Sequence, residues 1–316
     1  MNCEQVLFMT DYSIHESLVI RPPSEARSML IRLTRGCHWN RCRFCGLYPA
    51  LGQTTSSART VEEVKNDILL LCGKRKRIQT VFFGDADPLQ MGLENFIEVA
   101  EYLRRVCPEI KRLTCYARIS TLWKLRQTGI DRLKDAGLNR VHAGLETGDS
   151  YLLKYHRKGQ TPKMVIQTAE RLKNAGIELS LYVLLGLGGE TRWQQHIDNT
   201  AAVINESEPD FIRIRRIWIY NEVIAGRKIE CPLWDEIRTG NFTPQTSEGT
   251  VLELKRFLEN LKNINSMLLC DHANNYVQVS GRMPEQRSMM IEKIEQFLGL
   301  PENVRKNHYH LTDSRI

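Results

Sequence analysis

Cys37, Cys42 and Cys45 fall within a span of nine residues. Thiolates packed this closely repel one another unless a soft, positively charged centre sits among them, so the spacing points to metal. Cys42 and Cys45, separated by two residues, can aim two sulfurs at one centre from a single short loop, and Cys37 needs a wider one. A zinc site wants a fourth Cys or His at comparable local spacing, and a cubane iron–sulfur cluster normally wants four cysteines. No fourth cysteine lies nearby. Three ligands on a cubane leave one iron open to a further ligand. A structural zinc loop and a redox-active thiol pair are the readings that the triad alone leaves standing beside it.

Ligands this close need a rigid element to present them. An apolar run at 29–33 reads as a buried strand, and it leads into Gly36, a turn residue just ahead of Cys37. From there, short apolar stretches alternate with amphipathic ones, the pattern of a parallel sheet with crossover helices. The periodicity predicts further strands over 78–83, 112–116, 140–145, 177–185 and 211–219. Thr60 and Glu63 form a capping box for the first helix, with Val61, Val64, Ile68 and Leu71 along one face. Helical patterns cover 93–106, 122–136 with an interruption at Gly129, 161–175 stopped by Gly176, and 193–205. Such βα units with right-handed crossovers curl into an α/β fold of the partial (β/α)6 TIM-barrel type more readily than into a flat sheet. No Gly-x-Gly-x-x-Gly follows the first strand to favour a dinucleotide-binding fold. Residues 1–28 read as a lead-in, 29–220 as the barrel, and 221–316 as a C-terminal α/β extension that closes its open side. That extension is predicted to hold a helix over 247–261, a strand over 267–270, a helix over 286–298 and a polar, fraying tail over 303–316.

The cysteine stretch, with the aromatic Phe44 just before the last sulfur, resembles the cluster loop of the radical S-adenosylmethionine (radical SAM) superfamily. Its Cys-x4-Cys-x2-Cys spacing departs from the commonest family pattern, which has three residues in the first gap. The resemblance implies a [4Fe-4S] cluster on Cys37, Cys42 and Cys45, with SAM on the open iron. It also implies reductive cleavage of SAM to methionine and a 5′-deoxyadenosyl radical, which abstracts hydrogen from a substrate. A one-electron donor such as flavodoxin or ferredoxin would then be a partner. The family's common core is a (β/α)6 partial barrel, in agreement with the periodicity.

In such barrels functional groups collect at the carboxyl ends of the strands. Gly84, Asp85, Ala86 and Asp87 follow the second strand, where the family holds the methionine amino group with carbonyls and an acid. Asp stands for Glu and an Ala is added, so which acid faces SAM stays open, and a helix cap is the alternative. Tyr116 and Arg118 end the third strand; Arg118 offers a planar fork for a carboxylate, or else a surface ion pair. Gly144 to Gly148, around Glu146, is similar to the motif of the branch containing coproporphyrinogen oxidases and tRNA methylthiotransferases. The branch's basic turn is matched at His156 to Gly159, with Arg157 a carboxylate partner and His156 alone a solvated helix residue. Gly186 begins a glycine-rich turn where the family's backbone approaches adenine. Arg213 and Arg215 share one strand face; if that face is the barrel interior, an anionic substrate follows, and otherwise they are paired or exposed.

Asp271 and His272, just after the predicted strand 267–270, lie in an unusually polar loop with Asn274, Asn275 and Tyr276. An acid, a group titrating near neutrality and amides make it either a substrate-facing loop, with Asp271 orienting His272, or a plain turn. Tyr116, Asp271 and His272 are the candidate catalytic side chains. The net charge of +7 permits an anionic small molecule or nucleic acid alike, and the one dense basic run, 74–77, reads as a solvated loop. No stretch approaches the roughly 18 apolar residues of a membrane span, and no basic-then-apolar leader opens the chain. The six other cysteines are scattered singly, with Cys72 and Cys115 packed as small hydrophobes, which fits a reducing compartment and a cytoplasmic protein. Two other functions compete: oxidative decarboxylation of the coproporphyrinogen type, and a non-catalytic carrier or haem-trafficking protein that keeps SAM and cluster.

Overall fold

The computed structural model describes residues 16, 18–74, 78–224, 226–262 and 264–314. Among the described residues, twelve strands run β1 (Met29–Arg32), β2 (Thr34–Arg35), β3 (Ser57–Ala58), β4 (Thr80–Gly84), β5 (Arg112–Tyr116), β6 (Leu138–Glu146), β7 (Glu178–Leu185), β8 (Phe211–Arg216), β9 (Asn221–Ile224), β10 (Arg227–Glu230), β11 (Met267–Cys270) and β12 (Val279–Arg282). Eight of them form one sheet in the order β1-β4-β5-β6-β7-β8-β11-β12. The pairs from β1 to β11 are parallel and β12 returns antiparallel. The first six of these strands are the (β/α)6 partial barrel, and β11 and β12 extend it.

Alternation along each strand sorts side chains between two surroundings. Met29, Ile31, Val81, Phe83, Leu113, Cys115, Val141, Ala143, Leu181, Val183, Ile212 and Ile214 join the main core with the apolar faces of the helices. The intervening residues face the barrel interior, where Leu30, Phe82 and Tyr116 pack with Val19 as a small separate cluster. The capping box is formed as expected: the Thr60 peptide N–H donates to Glu63 Oε2 at 2.6 Å, and the Glu63 N–H donates to Thr60 Oγ1 at 3.2 Å.

Three expectations about the elements are corrected. The helical pattern of 122–136 breaks not at Gly129 but at Leu125 and Arg126, between helices Ile119–Lys124 and Gln127–Asp135. Gly129 sits buried inside the second helix, where an added Cβ would make ordinary contact with Leu93 and Leu125. Cys72 is bonded to Cys107, 35 residues away, rather than packed as a lone thiol. The neighbouring helices Val61–Lys74 and Leu93–Val106 bring their Cα atoms to 6.5 Å, which removes two cysteines from the argument for a reducing compartment. The polar tail does not fray: Glu302–Asp313 is a helix whose Tyr309 is buried beside the Tyr276 and Phe297 rings. Corrections to single site residues are described with the site. Residues 75–77 of the basic run lie outside the described residues. No helix among the described residues is long and apolar enough to cross a membrane.

Tyr309→Ala should therefore undock the last helix. Hydrogen exchange is expected to lose protection across 302–313 while the strands of the barrel stay protected, and unchanged protection there would refute the docking.

Candidate functional site

The cysteine loop leaves β1 over a buried foundation. Arg32, 2% exposed, places Nε 2.7 Å from Asp85 Oδ2, and its Nη2 donates to Gln53 Oε1 at 2.7 Å. Gln53 Oε1 also accepts the Gly36 N–H at 3.0 Å, so the turn ahead of Cys37 hangs on the same group. Beyond the turn, the loop is clipped to residues 156–159. Trp39 Nε1 donates to the Arg157 carbonyl at 2.7 Å, and the Arg43 N–H donates to the His156 carbonyl at 3.0 Å. Gly159 adopts φ +74°, and the Trp39 indole comes so close that no side chain would fit there. Arg118 lies over the Trp39 ring at 4.7 Å and donates to the Lys158 carbonyl at 2.7 Å. Arg118 is thus buried scaffolding between loop and turn, and no surface ion pair.

All three thiols of the loop are half-buried. Among the described residues no three His, Cys, Asp or Glu side chains converge closely enough to hold one metal ion, so a closed zinc site, with ligands about 2–2.3 Å from one ion, is not built. Burial pushes the Cys45 thiol up to about 12 and raises that of Cys42, so thiolates here need a cationic centre beside them. Three sulfurs on one loop suit a larger centre that carries its own metal atoms.

At the end of β4 the two acids divide. Asp85, at φ +77°, is spent on Arg32 and on the Tyr48 hydroxyl at 3.4 Å. Asp87, 1% exposed, accepts Thr121 Oγ1 at 2.5 Å through Oδ2, while its Oδ1 is buried without a partner. Burial raises its carboxyl to about 6, against the pull of Thr121 and of the Arg118 peptide N–H. A buried acceptor left unpaired costs about 1–3 kcal/mol, so Asp87 is the acid of this turn with capacity for a ligand.

At the end of β6 a bulge between Gly144 and Glu146 puts Glu146 at φ +64°. Its Oε1 accepts Lys158 Nζ at 2.6 Å. Burial works against the Lys158 charge, but Glu146 and Cys42 outweigh it and hold its pKa above the ordinary value. The Arg157 side chain is exposed, and only its carbonyl, at φ +54°, meets the cysteine loop. His156 is fully buried among Phe44, Tyr155 and Phe242, with Nε2 2.9 Å from the Leu187 carbonyl, and is not the solvated residue expected. Three non-glycine residues at these turns thus occupy the left-handed region, a strain that the packing around them must hold in place.

The β7 turn begins at Gly186, φ +85°, whose N–H donates to Glu253 Oε2 at 2.6 Å. Glu253 comes from helix Ser247–Asn260, is fully buried, and accepts Gln245 Nε2 at 3.1 Å through its other oxygen. On β8, Ile212 and Ile214 join the helix-side core, which turns Arg213 and Arg215 into the barrel. Arg213 Nε donates to Ser180 Oγ at 3.2 Å, and Arg215 sits 5.4 Å over the Tyr182 ring. Among the described residues neither forms an ion pair. Tyr116 and Tyr182 adjoin them in the same interior.

The loop after β11 crosses the end of β8. Asn274 Nδ2 donates to the Arg216 carbonyl at 2.8 Å and Asn275 Nδ2 to the Ile214 carbonyl at 3.0 Å. His272 lies near Arg215; burial first, then Arg215, lowers its pKa. Asp271 does not orient it. Asp271 is exposed, and His272 Nδ1 instead lies 2.6 Å from Asn274 Oδ1 and 3.2 Å from the Asn274 peptide nitrogen.

Sequence reasoning missed Lys158, Trp39, Tyr182 and Glu253. Lys158 stood beside the Arg157 that was chosen. Glu253 left a signal, since it falls on the buried face of its helix between Thr250 and Phe257. The indole and the phenol had none, because their partners are remote in sequence.

The family model of the radical SAM superfamily matches residues 31–201. The Heme chaperone HemW of Bacillus subtilis is 24% identical over 217 residues, covering 67% of this chain and 55% of its own. The chain therefore spans about half the length of the curated relative it matches. Among solved structures, the radical SAM methyltransferase TsrM from Kitasatospora setae, with cobalamin and a [4Fe-4S] cluster bound, aligns with TM-score 0.50 and 18% identity over 60% of this chain and 36% of its own. Coproporphyrinogen III oxidase HemN from Escherichia coli aligns with TM-score 0.50 and 14% identity over 68% of this chain and 52% of its own. These likenesses are of fold.

Burial raises the Glu253 carboxyl from 4.5 to about 7, against the Gly186 N–H and Gln245. A folded-state value above the unfolded one means stability that is present below pH 4.5 and lost as the pH rises toward 7. Glu253→Gln cannot ionise, so in urea titrations its stability relative to wild type should climb by about 3 kcal/mol across that window and then level off. Parallel curves would show that Glu253 ionises freely.

Proposed function

This chain belongs to the radical SAM superfamily, and on that premise we propose that it is a radical SAM enzyme acting on an anionic substrate inside the barrel. The observation that carries the reading is a three-cysteine loop at the mouth of a barrel whose interior presents two guanidiniums without an acidic partner among the described residues. The family binds a [4Fe-4S] cluster and SAM; when bound and reduced, they supply a 5′-deoxyadenosyl radical that abstracts hydrogen. Cys37, Cys42 and Cys45 would hold the cluster. Asp87 Oδ1 would accept from the methionine ammonium, with the Gly84 to Ala86 backbone around it. Lys158 takes the carboxylate role first given to Arg157, because it is the cation at the mouth. Glu146 would exchange Lys158 for the ribose hydroxyls, and the Gly186 turn would receive adenine.

Arg213 and Arg215 would grip the substrate's anionic group, with Tyr116 and His272 lining the approach. The exposed Arg41 and Arg157 leave positive charge around the loop, which suits an acidic one-electron donor such as flavodoxin or ferredoxin. One observation favours a second reading: the identity with a heme chaperone over 217 residues, which fits a carrier that binds cluster and SAM without turnover.

Anaerobic reconstitution with iron and sulfide, followed by dithionite and SAM, separates the two. The enzyme reading expects 5′-deoxyadenosine, and binding without its release would establish the carrier. Alanine at any one of the three cysteines should abolish cleavage and most of the brown chromophore. A triple-alanine variant that still binds four irons would sink the ligand assignment. Asp87→Asn and Glu146→Ala should each weaken SAM binding by about 1–3 kcal/mol at normal iron content, measured by calorimetry. Full affinity in both would mean that the two acids are structural.

A further inference from the structure

Below Arg213, the barrel interior holds a histidine that none of the steps above uses. His142 lies on β6, opposite Tyr116 of β5 and Ser180 of β7. Its neighbours Val141 and Ala143 turn outward to the helices, so His142 turns inward, fully buried, with the Phe82 and Tyr116 rings each 6.1 Å away.

One ring nitrogen is fixed. His142 Nε2 lies 3.4 Å from Oε1 of Glu25, a residue fully buried beneath the barrel. Glu25 Oε2 accepts Ser28 Oγ at 2.6 Å and Arg112 Nη2 at 3.1 Å, which keeps the carboxyl ionised. A carboxylate can only accept, so Nε2 carries the proton. Burial holds the imidazole pKa down at about 4, outweighing Glu25, and the ring is neutral at pH 7. Nδ1 is then a bare lone pair. It is buried and has no partner among the described residues.

We propose that His142 is a substrate-binding residue, whose Nδ1 accepts a hydrogen bond from an N–H or O–H of the same molecule whose anionic group Arg213 and Arg215 hold. A residue serving only the barrel floor would need the Nε2–Glu25 contact and no unpaired acceptor. The geometry selects a substrate with an anionic group at one end and a hydrogen-bond donor at the other. It rests on the reading of the interior as an anion site.

Two nearly isosteric probes test it on the cluster-loaded, SAM-bound protein: 4-hydroxybenzoate, which has anion and donor, and 4-fluorobenzoate, which has the anion alone. Calorimetry should show the hydroxy compound binding about tenfold more tightly to wild type, the worth of one buried hydrogen bond. His142→Phe should erase that preference and keep the affinity for 4-fluorobenzoate, while Arg213→Gln weakens both. Should His142→Phe fail to fold, wild type labelled with 15N-histidine gives the same answer: the His142 Nδ1 resonance should move on adding 4-hydroxybenzoate and not 4-fluorobenzoate. Equal binding of the two probes, or an unmoved Nδ1, overturns the role of His142 and leaves the anion site intact. Failure of either probe to bind overturns the anion site, and this inference with it.

Discussion

The mouth of this barrel depends on the ion pair of Arg32 and Asp85. Both are almost fully buried, and the contact is 2.7 Å. Such a pair is weak evidence for stability, because desolvating two charges offsets most of their attraction. Its consequence here is positional. Arg32 is the last residue of β1, Asp85 follows β4, and Gln53 shared with Gly36 joins the pair to the cysteine loop. Losing Arg32 would leave the buried Asp85 carboxylate without its counter-charge, so the pair ties the two strand ends and the loop together.

Above that foundation the loop is held from the other side by main-chain carbonyls of the 156–158 turn, through Trp39, Arg43 and Arg118. Side chains that could have been ligands are thereby used as scaffold. What is left to meet a ligand, among the described residues, is one unpaired oxygen of Asp87, three thiols outside any disulfide, and the Lys158–Glu146 pair, which any bound anion or hydroxyl would have to rearrange.

The two faces of the sheet carry different duties. The helix-side face is continuous and apolar and supplies the burial that stabilises the fold. The interior holds His142, Ser180, Tyr182, Arg213 and Arg215, and the His142 Nδ1 and the Tyr182 hydroxyl are buried without a hydrogen-bond partner among the described residues. A fold can carry such costs inside only where another face supplies the stability. The C-terminal region contributes to both, because Glu253 reaches back to the Gly186 turn and Arg216 and Tyr276 tie the last helix to the end of β8.

The cysteine loop, the six parallel strands and the acid-bearing turns were legible in the residues, because period and spacing are local properties of the chain. So was the capping box. Which acid is free was not legible, since Asp85 and Asp87 are two residues apart and differ only in that Arg32, some fifty positions earlier, meets one of them. The inward direction of Arg213 depended on which face of β8 the helices cover. The Cys72–Cys107 bond and the docking of the last helix on Tyr276 both arise from contacts between segments remote in sequence. Composition and periodicity determined that a barrel would present three thiols at its mouth; only the packing of distant segments decided which polar groups would be consumed in holding that mouth together and which would be left to meet a ligand.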